Sequence, residues 1–374
     1  MSFKENIFRN LSNIPGWRTN RKIIVFESDD WGSVRIPSNE VRNVLIKGDV
    51  LTSNSTSHYY LYDSLESNDD LTSLFETLSK YKDFKGNHPA FTAINVVANP
   101  DFDKIKQDSF QTYYYEPFTE TLNRYPKHDQ VHNLWKEGYE KNLFVPQFHG
   151  REHINIAAWM KALKEGKPKT LLAFDHGVSG INPVLINESK MQYQAAFDIE
   201  SIAEISYLKS VIKEGTALFE TLMGYRATYF VPTNGPFNLS LEGTLKEVGI
   251  KYLMLDKMQK EPLGNGKYKT HIRWLGKRNK HGQIALSRNA GFEPAEGSKD
   301  WVSSCLYDIE FAFRWKKPAT ISTHRVNYIG FLEPKNRIRS LELLEQLISK
   351  ILKKWPDVEF MTSNQLGDLI SERV

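Results

Sequence analysis

Residues 22–32 read KIIVFESDDWG, and the rest of the chain is best understood outward from them. Four apolar residues in succession, Ile23, Ile24, Val25 and Phe26, give way to Glu27, Ser28, Asp29 and Asp30 before Trp31 and Gly32. A short β-branched run that is apolar at every position, instead of at alternate ones, is what a strand covered on both faces requires. Runs of the same kind recur at Ala90–Ala98, Leu143–Phe148, Thr170–Phe174, Ala227–Val231, Tyr252–Leu255, Ala319–Thr323 and Val358–Thr362. Between them lie stretches with helical character: Asn155–Leu163, Ile199–Met223, Leu239–Val248 and Ile338–Lys353. In the last, Leu341, Leu344, Leu347, Ile348 and Ile351 recur at the spacing of one helix face. Strands alternating with helices imply an α/β fold with a mainly parallel sheet, and at 374 residues a (β/α) barrel is expected over an open sheet. One domain is expected across 1–374, with the polar stretches Asp49–Asp70 and Asn99–Gln130 inserted over a barrel face.

Composition narrows the chemistry. The 49 basic and 45 acidic residues leave a net charge of +4, and no Lys/Arg run marks a nucleic-acid surface. A single cysteine, Cys305, rules out an internal disulfide and a thiolate zinc cluster, so a metal would depend on His and carboxylate ligands. The first residues, MSFKENIFRNLSNIPGW, lack the apolar centre of a secretion signal, and no apolar run of roughly 18 residues suggests a membrane span. A cytoplasmic protein is the expectation.

In a barrel, chemistry gathers where the strands end, because the following loops converge there. The first run ends in Asp29-Asp30, the third in His149-Gly150-Arg151-Glu152-His153, the fourth in Asp175-His176 and the seventh in His324-Arg325. Four of the ten histidines and a carboxylate pair are thus expected at one edge. Adjacent carboxylates on a strand point different ways, so one can ligate a metal while the other faces a water as base. Two imidazoles four apart can reach one ion, and with a carboxylate they make the His₂-carboxylate set of an open catalytic site. His324 is placed to serve as a general acid, and His176 to line the same pocket.

These motifs resemble those of the polysaccharide deacetylase (NodB-homology) family of carbohydrate esterases. Asp29-Asp30 matches the first motif, His149 to His153 the second, and His324 the last. The resemblance spans about Lys22 to Ile370 and implies a distorted barrel of seven or eight β/α units. It also implies Asp29 as catalytic base, Asp30, His149 and His153 as ligands of a divalent metal, and His324 as the acid that protonates the leaving amine. Zinc is the default metal, with nickel, cobalt and manganese as alternatives. The implied activity is removal of an acetyl group from an N-acetylated sugar or polysaccharide precursor, with O-acetyl esters as an alternative and a carbohydrate as partner. Trp31, His176, Pro232, Asn234, Arg226 and Arg288 are the candidate substrate contacts, and a backbone N–H near Pro232–Gly235 would hold the oxyanion.

Two positions depart from the family. Gly150 stands where the second motif has Ser or Thr, and Val231 stands where the third has Arg, leaving Arg226 or Arg288 to substitute. Asp300-Trp301 is the candidate for the family's Asp-and-Trp motif. Two other readings compete. His149-Gly150-Arg151-Glu152-His153 also spells His-x-x-Glu-His, an inverted zinc-protease signature that needs both imidazoles on one helix. Val231, in turn, fits a barrel that binds glycans without catalysis.

Overall fold

The computed structural model describes residues 9–11, 13–51 and 57–372. Much of the N-terminal stretch read for a secretion signal, and residues 52–56 of the first polar stretch, therefore lie outside the described residues. Nine strands form one sheet: β1 (Lys22–Trp31), β2 (Phe91–Val96), β3 (Phe144–Gly150), β4 (Tyr229–Phe230), β5 (Tyr252–Met254), β6 (Ile284–Leu286), β7 (Ala290–Gly291), β8 (Ala319–His324) and β9 (Val358–Met361). Every pairing within it is parallel.

Across the sheet the order is β6-β5-β4-β3-β2-β1-β8-β7. β8 runs along one flank of β1, while β9 pairs the lower part of the other flank, Lys22–Val25, and β2 takes over from Phe26. The two ends of this path, β6 and β7, are separated in sequence only by Ser287–Asn289. So short a link reaches ~14 Å at most, whereas eight strands laid flat would span ~34 Å. The sheet must therefore curl until its ends come within that reach without pairing, which gives an incompletely closed form of the barrel expected from the alternation of strands and helices.

Alternation along β1 sorts the core. Ile24 and Phe26 face outward and pack with Leu344, Leu347, Ile348 and Ile351 of the helix Pro334–Lys354. Ile23 and Val25 face the barrel interior with Ile94, Tyr229, Tyr252 and Ile284. Glu27 and Asp29 continue this inward register toward the strand's end. Among the described residues no helix is long and apolar enough to cross a membrane.

Most of the expected strands and helices are present, with one reversal. Thr170–Phe174 lies in the helix Pro168–Asp175, which Pro168 opens and whose Thr170, Ala173 and Phe174 are buried at helical spacing. Five residues are too few to separate that spacing from a buried strand. The brief β6 and β7 escaped notice, as did two antiparallel ribbons, Ala98–Pro100 with Tyr115–Pro117 and Met258–Gly264 with Lys267–Ile272. The stretch 49–70 is partly helical, including His58–Tyr62 and the start of Asn68–Ser79, where Ser67 and Asp70 cap each other.

Candidate functional site

The upper end of β1 breaks the strand rule that sequence reading relied on. Asp30 has φ +79°, and the register with β2 slips between Ser28 and Trp31. This bulge re-aims a side chain that regular pleating would turn away. Asp29 and Asp30 consequently line the same cleft, of about 370 Å³, together with His149, His153, Pro232, Asn234, Arg288 and His324.

Asp30, His149 and His153 are buried, and one ligand atom from each lies within 4.8 Å of the others. Asp30 Oδ1 is 3.0 Å from His153 Nε2 and 3.7 Å from His149 Nε2. The His149 Nδ1–H donates to the Val231 carbonyl at 2.7 Å, which leaves Nε2 as its free nitrogen toward Asp30. His153 Nδ1 is buried without a partner, and burial, reinforced by Arg35, lowers its pKa to about 4. Burial also opposes ionisation of Asp30, but Arg35 and the two imidazoles outweigh it and hold the carboxyl well below its usual range. Two imidazole nitrogens and an ionised carboxylate on one small volume are the donor set a divalent cation requires. The residues fit such an ion.

Beside this triad stands a second set. Asp29 receives both terminal nitrogens of Arg288, at 2.6 and 2.5 Å, and Arg288 Nε donates to Glu27 at 2.6 Å. Glu27 also accepts from Tyr229 and Ser363, so three elements fix the guanidinium's anchor. Burial pushes Asp29 up, but Arg288, followed by His324 and His149, pulls it below its ordinary value. Val231 leaves no cation after β4, and the arginine on the candidate base comes from the link between β6 and β7 instead.

His324 pairs in register with Asp29 across β1 and β8, its Nε2 3.8 Å from Asp29 Oδ2. Its Nδ1–H donates to Glu293 at 2.6 Å. Burial works against the charge, but Glu293, Asp29 and Asp30 prevail and raise its pKa to about 10. It is therefore a cation at neutral pH, with a proton to give. Tyr59, from the first polar stretch, stands edge-on to its ring at 5.7 Å and also lines the cleft.

Several expected contacts lie elsewhere. Trp31 is fully buried, donates to Ser28 and packs edge-on to Phe144, because the bulge turns it into the core. His176 caps the helix Pro168–Asp175 and lines a separate cleft, since no strand precedes it. Arg226 is a surface residue paired with Glu220. Asp300 caps the helix Trp301–Arg314 and is not on the cleft wall. The protease signature also dissolves: His149 ends a strand, residues 151–155 are not helical, and Glu152 is buried against Arg151. Arg35, Tyr59, Gln194, Asp256 and Glu293 went unnoticed in the sequence. Glu293 is brought level with His324 by the pairing of Gly291 with Ser322, and a strand of two residues left no pattern in the sequence to reveal it.

No family model matches the sequence, and no curated protein matches it. Among solved structures, a putative glycoside hydrolase/deacetylase from Parabacteroides distasonis aligns over 95% of this chain and 72% of its own, with a TM-score of 0.52 and 7% identity. A putative polysaccharide deacetylase from Mycobacterium smegmatis aligns over 96% and 93%, with a TM-score of 0.45 and 10% identity. A 4-alpha-glucanotransferase from Thermococcus litoralis aligns over 92% of this chain, with a TM-score of 0.46 and 10% identity, and this chain spans only 40% of it. The chain shares its fold with the Parabacteroides distasonis protein, in agreement with the barrel that the NodB resemblance implies.

Proposed function

We propose that the protein is a metal-dependent deacetylase of the NodB-homology type, acting on an N-acetylated sugar or polysaccharide precursor. The observation that carries this reading is the juxtaposition of the Asp30–His149–His153 triad with Asp29 and His324 in one cleft. A divalent cation on the triad, zinc by default, would polarise the acetyl carbonyl and acidify a water. Asp29, kept ionised by Arg288, takes the proton of the attacking water. His324, charged and steadied by Glu293, gives a proton to the departing amine, so that acetate and a free amino group are released. Pro232, Asn234 and Gly235 line the cleft, and a backbone N–H of this turn would serve as donor to the oxyanion. Arg288 beside Asp29 favours an enzyme over a glycan binder, because Val231 was the reason to suspect a lost catalytic apparatus.

Metal analysis of the purified protein tests the reading. About one zinc, nickel, cobalt or manganese ion per chain is expected after loading, with acetate release from N-acetylated saccharides. The His149→Ala, His153→Ala double variant should lose both. A wild-type chain that takes up none of the four ions would end the proposal.

The pH profile supplies a second test. His324 is active when protonated, so kcat/KM should fall as pH rises through its pKa. Glu293→Gln removes the largest of the influences that raise this pKa, and the alkaline limb should move to lower pH by roughly one to two units. An unmoved limb would remove His324 from the role of acid.

A further inference from the structure

The other oxygen of Asp30 is engaged by a cation of the protein itself. Arg35 Nη2 lies 3.3 Å from Asp30 Oδ2, on the opposite carboxylate oxygen from the one facing the imidazoles. Both side chains are more than nine-tenths buried. Arg35 is held in turn: its Nε donates to Asp63 Oδ2 at 3.2 Å, and the far oxygen of Asp63 meets Arg325 at 3.1 Å. Gly180 crosses so close that a Cβ there would lie 2.9 Å from Arg35 Nη1. The guanidinium is thus held between Asp30 and Asp63 and backed by Gly180.

A metal site ordinarily hydrogen-bonds its ligating carboxylate to neighbouring groups. A full positive charge beside a ligand acts in two ways, of which the second is one that neutral donors lack. It occupies one oxygen, which restricts Asp30 to a single donor atom, and it repels the dication through a buried, weakly screened medium. Both loosen the ion and both leave it more electron-poor, which is the state in which it best activates a carbonyl.

Resting on the metal-centre reading above, we propose that Arg35 is a positioning residue that confines Asp30 to one-oxygen ligation and lowers the site's affinity for its ion. The sign of one measurement separates this role from simple scaffolding. Chelator-stripped protein is titrated with Zn²⁺ and with Co²⁺ against a chromophoric competitor, and the Co²⁺ absorption spectrum is recorded. Arg35→Met should bind each ion about tenfold more tightly or better, with a changed Co²⁺ spectrum as the second oxygen joins. Arg35→Lys keeps the charge and should stay near the wild-type affinity. If Arg35 served only to orient Asp30, Arg35→Met would instead weaken binding about 10- to 100-fold, and the proposal would fall. Unchanged affinity would overturn it equally. A wild type that binds neither ion would sink the metal-centre reading itself, a different and recognisable result.

Discussion

Asp29→Asn should lower kcat about 10²- to 10⁴-fold, the range in which general acid–base groups contribute. The substitution keeps the shape of the side chain and one oxygen that can still accept from Arg288, so the local packing should survive. What it removes is the carboxylate that can hold a proton during attack. The structure makes the loss hard to repair from within. Glu27, the nearest spare carboxylate to Arg288, is buried and shared among Arg288, Tyr229 and Ser363. Asp30 is occupied by the imidazoles and Arg35. The measurement is kcat on an acetylated saccharide alongside metal content, and the metal should remain at the wild-type level. Near-normal turnover in Asp29→Asn would assign the base elsewhere.

Arg325→Met should be the most damaging single change to stability, costing about 3–5 kcal/mol. Arg325 is completely buried and bonds Asp63, Glu66 and the Ser33 carbonyl. Glu66 in turn accepts from the Gly32 N–H, just past the Asp29-Asp30 bulge. Removing the cation leaves Asp63 with Arg35 alone and Glu66 with only the Gly32 N–H, two carboxylates that burial already pushes upward. The sign with pH follows. Folded-state pKa values raised above those of the unfolded chain mean that the folded variant binds protons more readily, so the penalty is fullest at high pH and shrinks as the solution is acidified. Urea unfolding at several pH values would display it, and a pH-independent loss below about 1 kcal/mol would show that the network is dispensable.

The parts of the site that the sequence exposed are those written locally. The adjacent carboxylates and the paired histidines each fall within a few residues at the end of a strongly apolar strand. Arg288 was one of two candidates, and nothing nearby could choose between it and Arg226, because its partners Glu27 and Asp29 are about 260 residues away and its own flanking strands are three and two residues long. The bulge at Asp30 was hidden as well. Alternation predicted two carboxylates facing apart, and only the left-handed backbone at Asp30 reconciles them with one cleft. That same turn explains why Trp31, beside the site in sequence, belongs to the core.

β1 is synthesised long before β8 and β9, the strands that cover much of its length. The candidate ligands His149 and His153 follow β1 well before Arg288, Glu293 and His324 are made. A nascent chain can therefore possess every candidate ion ligand and Asp29 while lacking Arg288, which pairs with Asp29, and the candidate acid His324 with its partner Glu293. Pairing across so long a sequence separation is slow to form, and until it does β1 has an open flank that invites association with other chains. The proton-transfer half of the cleft is thus completed in the same late event that covers β1.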